Sequence, residues 1–154
     1  MRKQSYFTYL LLSIFAIYNL SGETSWAATL QGRVTAVQSG NQIRITTSDG
    51  RHRQVRLLGI RLPSNDWRTA GSAKRHLATL IAGRHVSIEY QTLPGNGVIL
   101  GRVRHGGADV ALRMLEAGLA VVSDKGYLKP ETRQIYLASE SLARKRKMGF
   151  WQTK

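Results

Sequence analysis

The feature that most constrains this chain is a run of short alternating segments cut by turn residues. Ile43, Ile45 and Thr47 alternate with Gln42, Arg44 and Thr46. That period of two puts one set of side chains in a core and the other in water, which predicts a half-buried strand. Leu30 to Val37 reads as the strand before it, and Ser39-Gly40-Asn41 breaks the two. Ser48-Asp49-Gly50 is a turn signal, Asp-Gly being a favoured hairpin pair. Val55 to Ile60 is more continuously apolar, as a central strand would be.

From Thr69 to Ile81 the period changes. Ala73, Leu77, Leu80 and Ile81 fall on one helical face, and Gly83 stands where a C-terminal cap belongs. Val86, Ile88 and Tyr90 alternate again, Pro94-Gly95-Asn96-Gly97 turns the chain, and Val98 to Val103 returns. Asp109 is a natural N-cap for a short helix over Val110 to Ala117, ended by Gly118. Leu119 to Val122 reads as a strand. Pro130 opens a last helix in which Ile135, Ala138, Leu142 and the stem of Arg146 stack at helical spacing. Short antiparallel strands with an inserted helix predict an α+β protein built on a small five-stranded Greek-key barrel of the OB-fold kind, with flanking helices.

The N-terminus follows another logic. Arg2 and Lys3 precede an apolar run from Tyr6 to Tyr18, and the exit is Ser25-Trp26-Ala27-Ala28. Charged start, short apolar stretch and small-residue exit describe a secretory signal peptide. As a helix, the run reaches about 20 Å against roughly 30 Å of hydrocarbon, which favours cleavage over spanning. The expected organisation is a signal peptide over 1–27, with an uncleaved anchor as the alternative, and one domain over 28–154. The expected location is exported, periplasmic or secreted. Membrane contact is expected only through an uncleaved N-terminal segment.

Of the 154 residues, 23 are Lys or Arg and 9 are Asp or Glu, for a net charge of +14. Arg2, Lys3 and Glu23 fall in the first 27 residues, so +13 stays with the domain. Arg supplies most of that excess, and its planar fork of donors suits phosphate and carboxylate. The charge points to a polyanionic partner, with a merely solubilising surface as the bland alternative. The absence of cysteine excludes disulfides, thiolate metal sites and a cysteine nucleophile.

Several segments in order carry a resemblance. They are Gly32-Arg33-Val34 to Ile45, Val55-Arg56-Leu57-Leu58-Gly59-Ile60-Arg61-Leu62-Pro63 and Leu100-Gly101-Arg102-Val103. Ala108-Asp109-Val110 through Gly118-Leu119-Ala120 and Ala143-Arg144 through Gly149-Phe150-Trp151 complete the set. Together they resemble the staphylococcal nuclease-like (thermonuclease) family, an OB-fold barrel with flanking helices whose nucleases cut phosphodiester bonds with one calcium ion. The resemblance implies carboxylates on the metal, a glutamate as base and two arginines on the phosphate.

The three motifs depart from that pattern. Where the family reads Asp-Gly-Asp-Thr, this chain has Ser39-Gly40-Asn41-Gln42, so a charged ligand has become Asn41. The second motif keeps its arginine as Arg56, but Asp-Thr-Pro-Glu has become Arg61-Leu62-Pro63-Ser64. A ligand is now the cation Arg61 and the base is Ser64. The third, Tyr-Gly-Arg, reads Asn96-Gly97-Val98, so the second arginine has become Val98. Losing a single positioned transition-state group commonly costs about 10²–10³ in rate. The expectation is therefore a thermonuclease-like domain without the catalytic set, holding nucleic acid or another polyanion with no metal or cofactor.

Two alternatives stay open. One is a divergent phosphodiesterase using Asp66 or Glu89, with calcium required only in that case. The other is a structural subunit of an envelope assembly with a protein partner. The candidate anion-binding residues are Arg56 and Arg61 near the old pocket and the run Arg144-Lys145-Arg146-Lys147. That run also suits the negative end of a helix dipole. Trp67 is the candidate for base stacking; Trp151 and Tyr136 are further aromatics that could stack bases, with packing as the alternative role for Trp151. Ser64 lacks a neighbouring base. His52, His76, His85 and His105 show no metal-ligand spacing, and Glu89 reads as a structural ion-pair partner.

Overall fold

The computed structural model describes residues 28–63, 67–90, 97–124 and 128–153, without the side chains of Trp67 and Thr153. The proposed signal segment, Ser64, Asp66 and Asn96 lie outside the described residues. Strands β1 (Ala28–Ser39), β2 (Gln42–Thr47) and β3 (His52–Leu57) form an antiparallel meander. Two-residue β4 (Ile60–Arg61) and helix α1 (Trp67–Ile81) lead into β5 (His85–Tyr90) and β6 (Val98–His105). The rest is β7 (Ala108–Asp109), α2 (Val110–Glu116), β8 (Val121–Val122), α3 (Pro130–Lys145) and a final 3₁₀ turn, Gly149–Thr153.

The main sheet runs β3-β2-β1-β5-β6-β7, and β3 also pairs with β6 in parallel, so β1, β2, β3, β5 and β6 close into a barrel. The expected five-stranded OB-type barrel with flanking helices is the observed fold. Closure removes the sheet edges that an open meander would expose. Ile43, Ile45, Val55, Leu57, Ile88 and Val103 fill the barrel at zero exposure. Ala73, Leu77 and Ile81 of α1 and Met114 and Leu115 of α2 pack against them, also at zero exposure. Fully burying each large apolar side chain stabilises the fold by about 1.5–3 kcal/mol.

One buried carboxylate ties the helices to the barrel. Asp109 caps α2 by accepting from the Leu112 amide at 3.2 Å. Its other oxygen accepts from Arg102 Nε on β6 at 2.7 Å and from the Tyr136 hydroxyl on α3 at 2.8 Å. Burial, then the adjacent Asp109 charge, pushes the Tyr136 hydroxyl well above the ordinary tyrosine range, so it stays a donor.

Helix α3 corrects one expectation. Its buried residues are Tyr136 and Ala143, whereas Ile135 and Leu142 are 53% and 46% exposed and Ala138 and Arg146 face water. The Ile135–Ala138–Leu142 stripe is not the core face. The face that docks is chosen by the Tyr136–Asp109 bond and by the fit of small Ala143 near Val121 and Trp151.

Candidate functional site

A cleft with a volume of about 680 Å³ opens where β3, β4 and the β1–β2 turn meet the end of β8. Two glycines shape it. A Cβ on Gly40 would sit 2.4 Å from the Ala73 Cβ, so the β1–β2 turn lies directly on α1. That holds Asn41 in place, its carbonyl accepting from the Leu57 amide at 2.9 Å. Gly59 turns β3 into β4 at φ 79°, and a Cβ there would sit 2.4 Å from Leu128 Cδ1. Its carbonyl accepts from the Ser123 amide at 2.9 Å, which brings Ser123 and Asp124 over the cleft.

Arg56 and Arg61 both line this cleft, and both side chains are exposed. Neither has a carboxylate partner among the described residues. Asn41 lines it too, its amide oxygen accepting from the Ser39 hydroxyl at 3.0 Å. Asp124 is the one carboxylate on the described wall, and it pairs with Arg133 at 3.2 Å. Val98 does not line the cleft; it opens β6 opposite Gln54, and Leu100 takes the place on the wall. Trp67 opens α1, but its side chain is outside the described residues.

The structure keeps the second basic group apart. None of Arg144, Lys145, Arg146 and Lys147 lines the cleft. Arg144 bonds Glu140 at 2.9 Å and lies 4.2 Å over the Trp151 ring. Glu140 in turn accepts from the Val122 amide at 2.7 Å. Arg144 is thus part of the joint between α3, β8 and the last turn. Lys145, Arg146 and Lys147 are exposed. Tyr136 is buried and spent on Asp109, and Trp151 packs on Phe150 with ring centroids 4.1 Å apart, so neither is presented for base stacking.

The histidines are placed singly. His52 Nδ1 meets the Thr46 hydroxyl, His105 Nδ1 meets the His85 carbonyl, and burial holds the His76 ring below the ordinary histidine range. Glu89 faces Arg104 at 3.6 Å. Among the described residues no three His, Asp or Glu side chains form a set that would hold a metal ion.

The distribution of ion pairs has a pattern. Asp49, Glu89, Asp109, Glu116, Asp124 and Glu140 are each matched to one arginine, namely Arg51, Arg104, Arg102, Arg113, Arg133 and Arg144. Those pairs use nearly all the described acids, which leaves Arg33, Arg44, Arg53, Arg56, Arg61, Arg75, Arg84 and Arg146 without an acidic partner among the described residues. Of these, Arg33, Arg44, Arg53, Arg56 and Arg61 sit on the meander or at the cleft. Sequence reasoning singled out Arg56 and Arg61 but missed Arg33 and Arg44, although the alternation of β2 already put Arg44 on the outer side. It also missed Ser123 and Asp124, which reach the cleft only through the Gly59 contact.

A model of the staphylococcal nuclease homologue family matches residues 54–153. The chain belongs to this family. No curated protein matches it. The matched stretch begins on β3 and covers the cleft wall from Arg56 onward. The calcium that family nucleases use does not fit the described wall, where Arg56 and Arg61 outnumber a single carboxylate already paired with Arg133.

Proposed function

We propose that this is an exported, non-catalytic member of the nuclease family that binds nucleic acid or a similar polyanion at the cleft and the adjoining barrel face. The observation that carries the reading is the pair Arg56 and Arg61 on one cleft wall, exposed and without acidic partners among the described residues. Two guanidinium groups at one mouth offer several donors to a phosphate oxygen cluster and do not need a metal to neutralise it. Hydrolysis needs more: an activated water and a base, and neither Asn41 nor Arg61 supplies one.

Hydrolysis is the second reading, and family membership favours it. The mature protein, purified free of nuclease, is incubated with single- and double-stranded DNA and RNA, with calcium and with chelator. Binding is measured alongside across a salt series. The proposal expects intact substrate and an affinity that falls steeply with salt. Cleavage that needs calcium and stops with chelator overturns it in favour of a divergent phosphodiesterase. Neither cleavage nor binding also overturns it, and points to an assembly subunit.

A further inference from the structure

Of the four meander arginines without an acidic partner, Arg53 stands opposite buried Ile45, and the other three are not scattered. Arg56 on β3 stands opposite Gln42 on β2, Arg44 on β2 opposite Gln54 on β3, and Thr46 on β2 opposite Arg33 on β1. Each step from Arg56 to Arg44 to Arg33 moves one strand across and two residues along. With strands about 4.8 Å apart and a rise of about 3.4 Å per residue, each step is about 8 Å.

All three point outward. Arg44 lies between buried Ile43 and Ile45, Arg56 between Val55 and Leu57, and Arg33 between Gly32 and Val34. The side chains around the row are Thr35, Gln42, Thr46, His52, Gln54, His85 and Leu100, none of them acidic. The carboxylate at the nearest turn, Asp49, is held by Arg51, and Arg33 is steadied by its Nε donating to the Gly83 carbonyl at 3.1 Å. The row runs into the cleft at Arg56, which Gln42 and Leu100 also line.

We infer that a single-stranded nucleic acid lies across the outer face of β3, β2 and β1, its successive phosphates on Arg56, Arg44 and Arg33, with one end in the cleft. This rests on the polyanion reading and adds a path, a direction and a strand number to it. The row serves one backbone. A duplex presents two, separated by grooves of roughly 6 and 12 Å. A single strand also follows a curved barrel wall, which a duplex with a persistence length of about 150 base pairs does not. The row carries no Trp, Tyr or Phe, so the bases are not stacked along it and recognition is by backbone, without sequence preference.

The test is binding of labelled oligothymidylate, from dinucleotide to dodecamer, by fluorescence anisotropy at low salt. The wild-type protein is compared with Arg44→Glu, Arg33→Glu, Lys74→Glu on α1 and Lys145→Glu on α3. All four change the net charge equally, so only position differs. The two row variants are expected to weaken the dodecamer about tenfold or more and the other two about twofold or less. Arg44→Gln, which leaves no repulsive charge, is expected to lower the slope of log K against log salt by about 0.7. Thermal melts check that each variant is folded.

Equal losses in all four variants overturn the row while leaving the polyanion reading standing, because net charge alone would then account for binding. Tighter binding to a duplex of equal phosphate number overturns the single strand. No binding of wild-type protein to any oligonucleotide overturns the polyanion reading and the row together.

Discussion

The outer face of the meander and the helical half of the molecule use the same residue type in opposite ways. Around α2 and α3 four of the five arginines are consumed, Arg146 at the end of α3 being the exception. Arg102 and Tyr136 share Asp109, Arg133 holds Asp124, Arg113 holds Glu116, and Arg144 joins Glu140 to Trp151. On β1, β2 and β3 the arginines Arg33, Arg44 and Arg56 stand among amides and hydroxyls. An arginine with a buried carboxylate lowers the free energy of the fold only as part of that set. One without a partner adds self-repulsion and is useful chiefly when an anion arrives. A domain charge of +13 therefore divides into a structural part, which is neutralised locally, and a part free to act on a ligand.

The largest break in this comparison comes at Asp109. Asp109→Ala removes the α2 cap and leaves Arg102 and Tyr136 without their shared acceptor. It is expected to destabilise by about 3–5 kcal/mol in urea unfolding. Arg44→Ala, by contrast, is expected to stay within about 0.5 kcal/mol of wild type. Similar losses in the two would erase the distinction between structural and free arginines.

The next effect is on ligand binding. Arg56→Ala with Arg61→Ala is expected to leave stability within about 1 kcal/mol and lower polyanion affinity by roughly tenfold or more. Titration with a single-stranded oligonucleotide measures it. An unchanged affinity would move the site away from the cleft.

Helix α3 sharpens the comparison at smaller scale. Lys147 follows its C-terminal cap at φ 52°, a left-handed conformation that favours glycine. Lys147→Gly is expected to stabilise by up to about 1 kcal/mol, and to leave oligonucleotide binding within about twofold because the last cations of α3 lie off the row. A larger loss of affinity would enlist the helical half as ligand surface.

The smallest expected effect is a pH dependence. Burial depresses the His76 pKa below its ordinary 6.5, so the unfolded chain takes up a proton that the folded chain resists. Its contribution to stability is present above about pH 6.5 and is lost as pH falls through the lower folded value. Denaturant midpoints measured across that range should fall less in His76→Gln than in wild type.

Much of the barrel was legible because its signals are local. Ile43, Ile45 and Thr47 alternate in the sequence and are the buried set of β2, and Ala73, Leu77 and Ile81 keep helical spacing and are the buried face of α1. Asp109 could be read as a cap from its position alone, but not as the acceptor for Arg102 and Tyr136. Helix α3 was misread for a related reason. Periodicity marks Ile135, Ala138 and Leu142 as a stripe, but the docked face was decided by a hydroxyl meeting a carboxylate 27 residues away in the chain. The cleft was legible at Arg56 and Arg61, which the motifs single out. Ser123 and Asp124 were not, because they arrive over Gly59 from the end of β8.

The sequence by itself determined the strand and helix pattern, the family and the excess of positive charge, since each is written in neighbouring residues or in a count. Only the tertiary structure decided which arginines are spent and which are free. Ion pairing depends on strand register, closure and burial, and these bring together residues that no local pattern links. That is why one excess of +14 resolves into a row of three unmatched arginines leading to a cleft, and four arginines around α2 and α3 already matched to carboxylates.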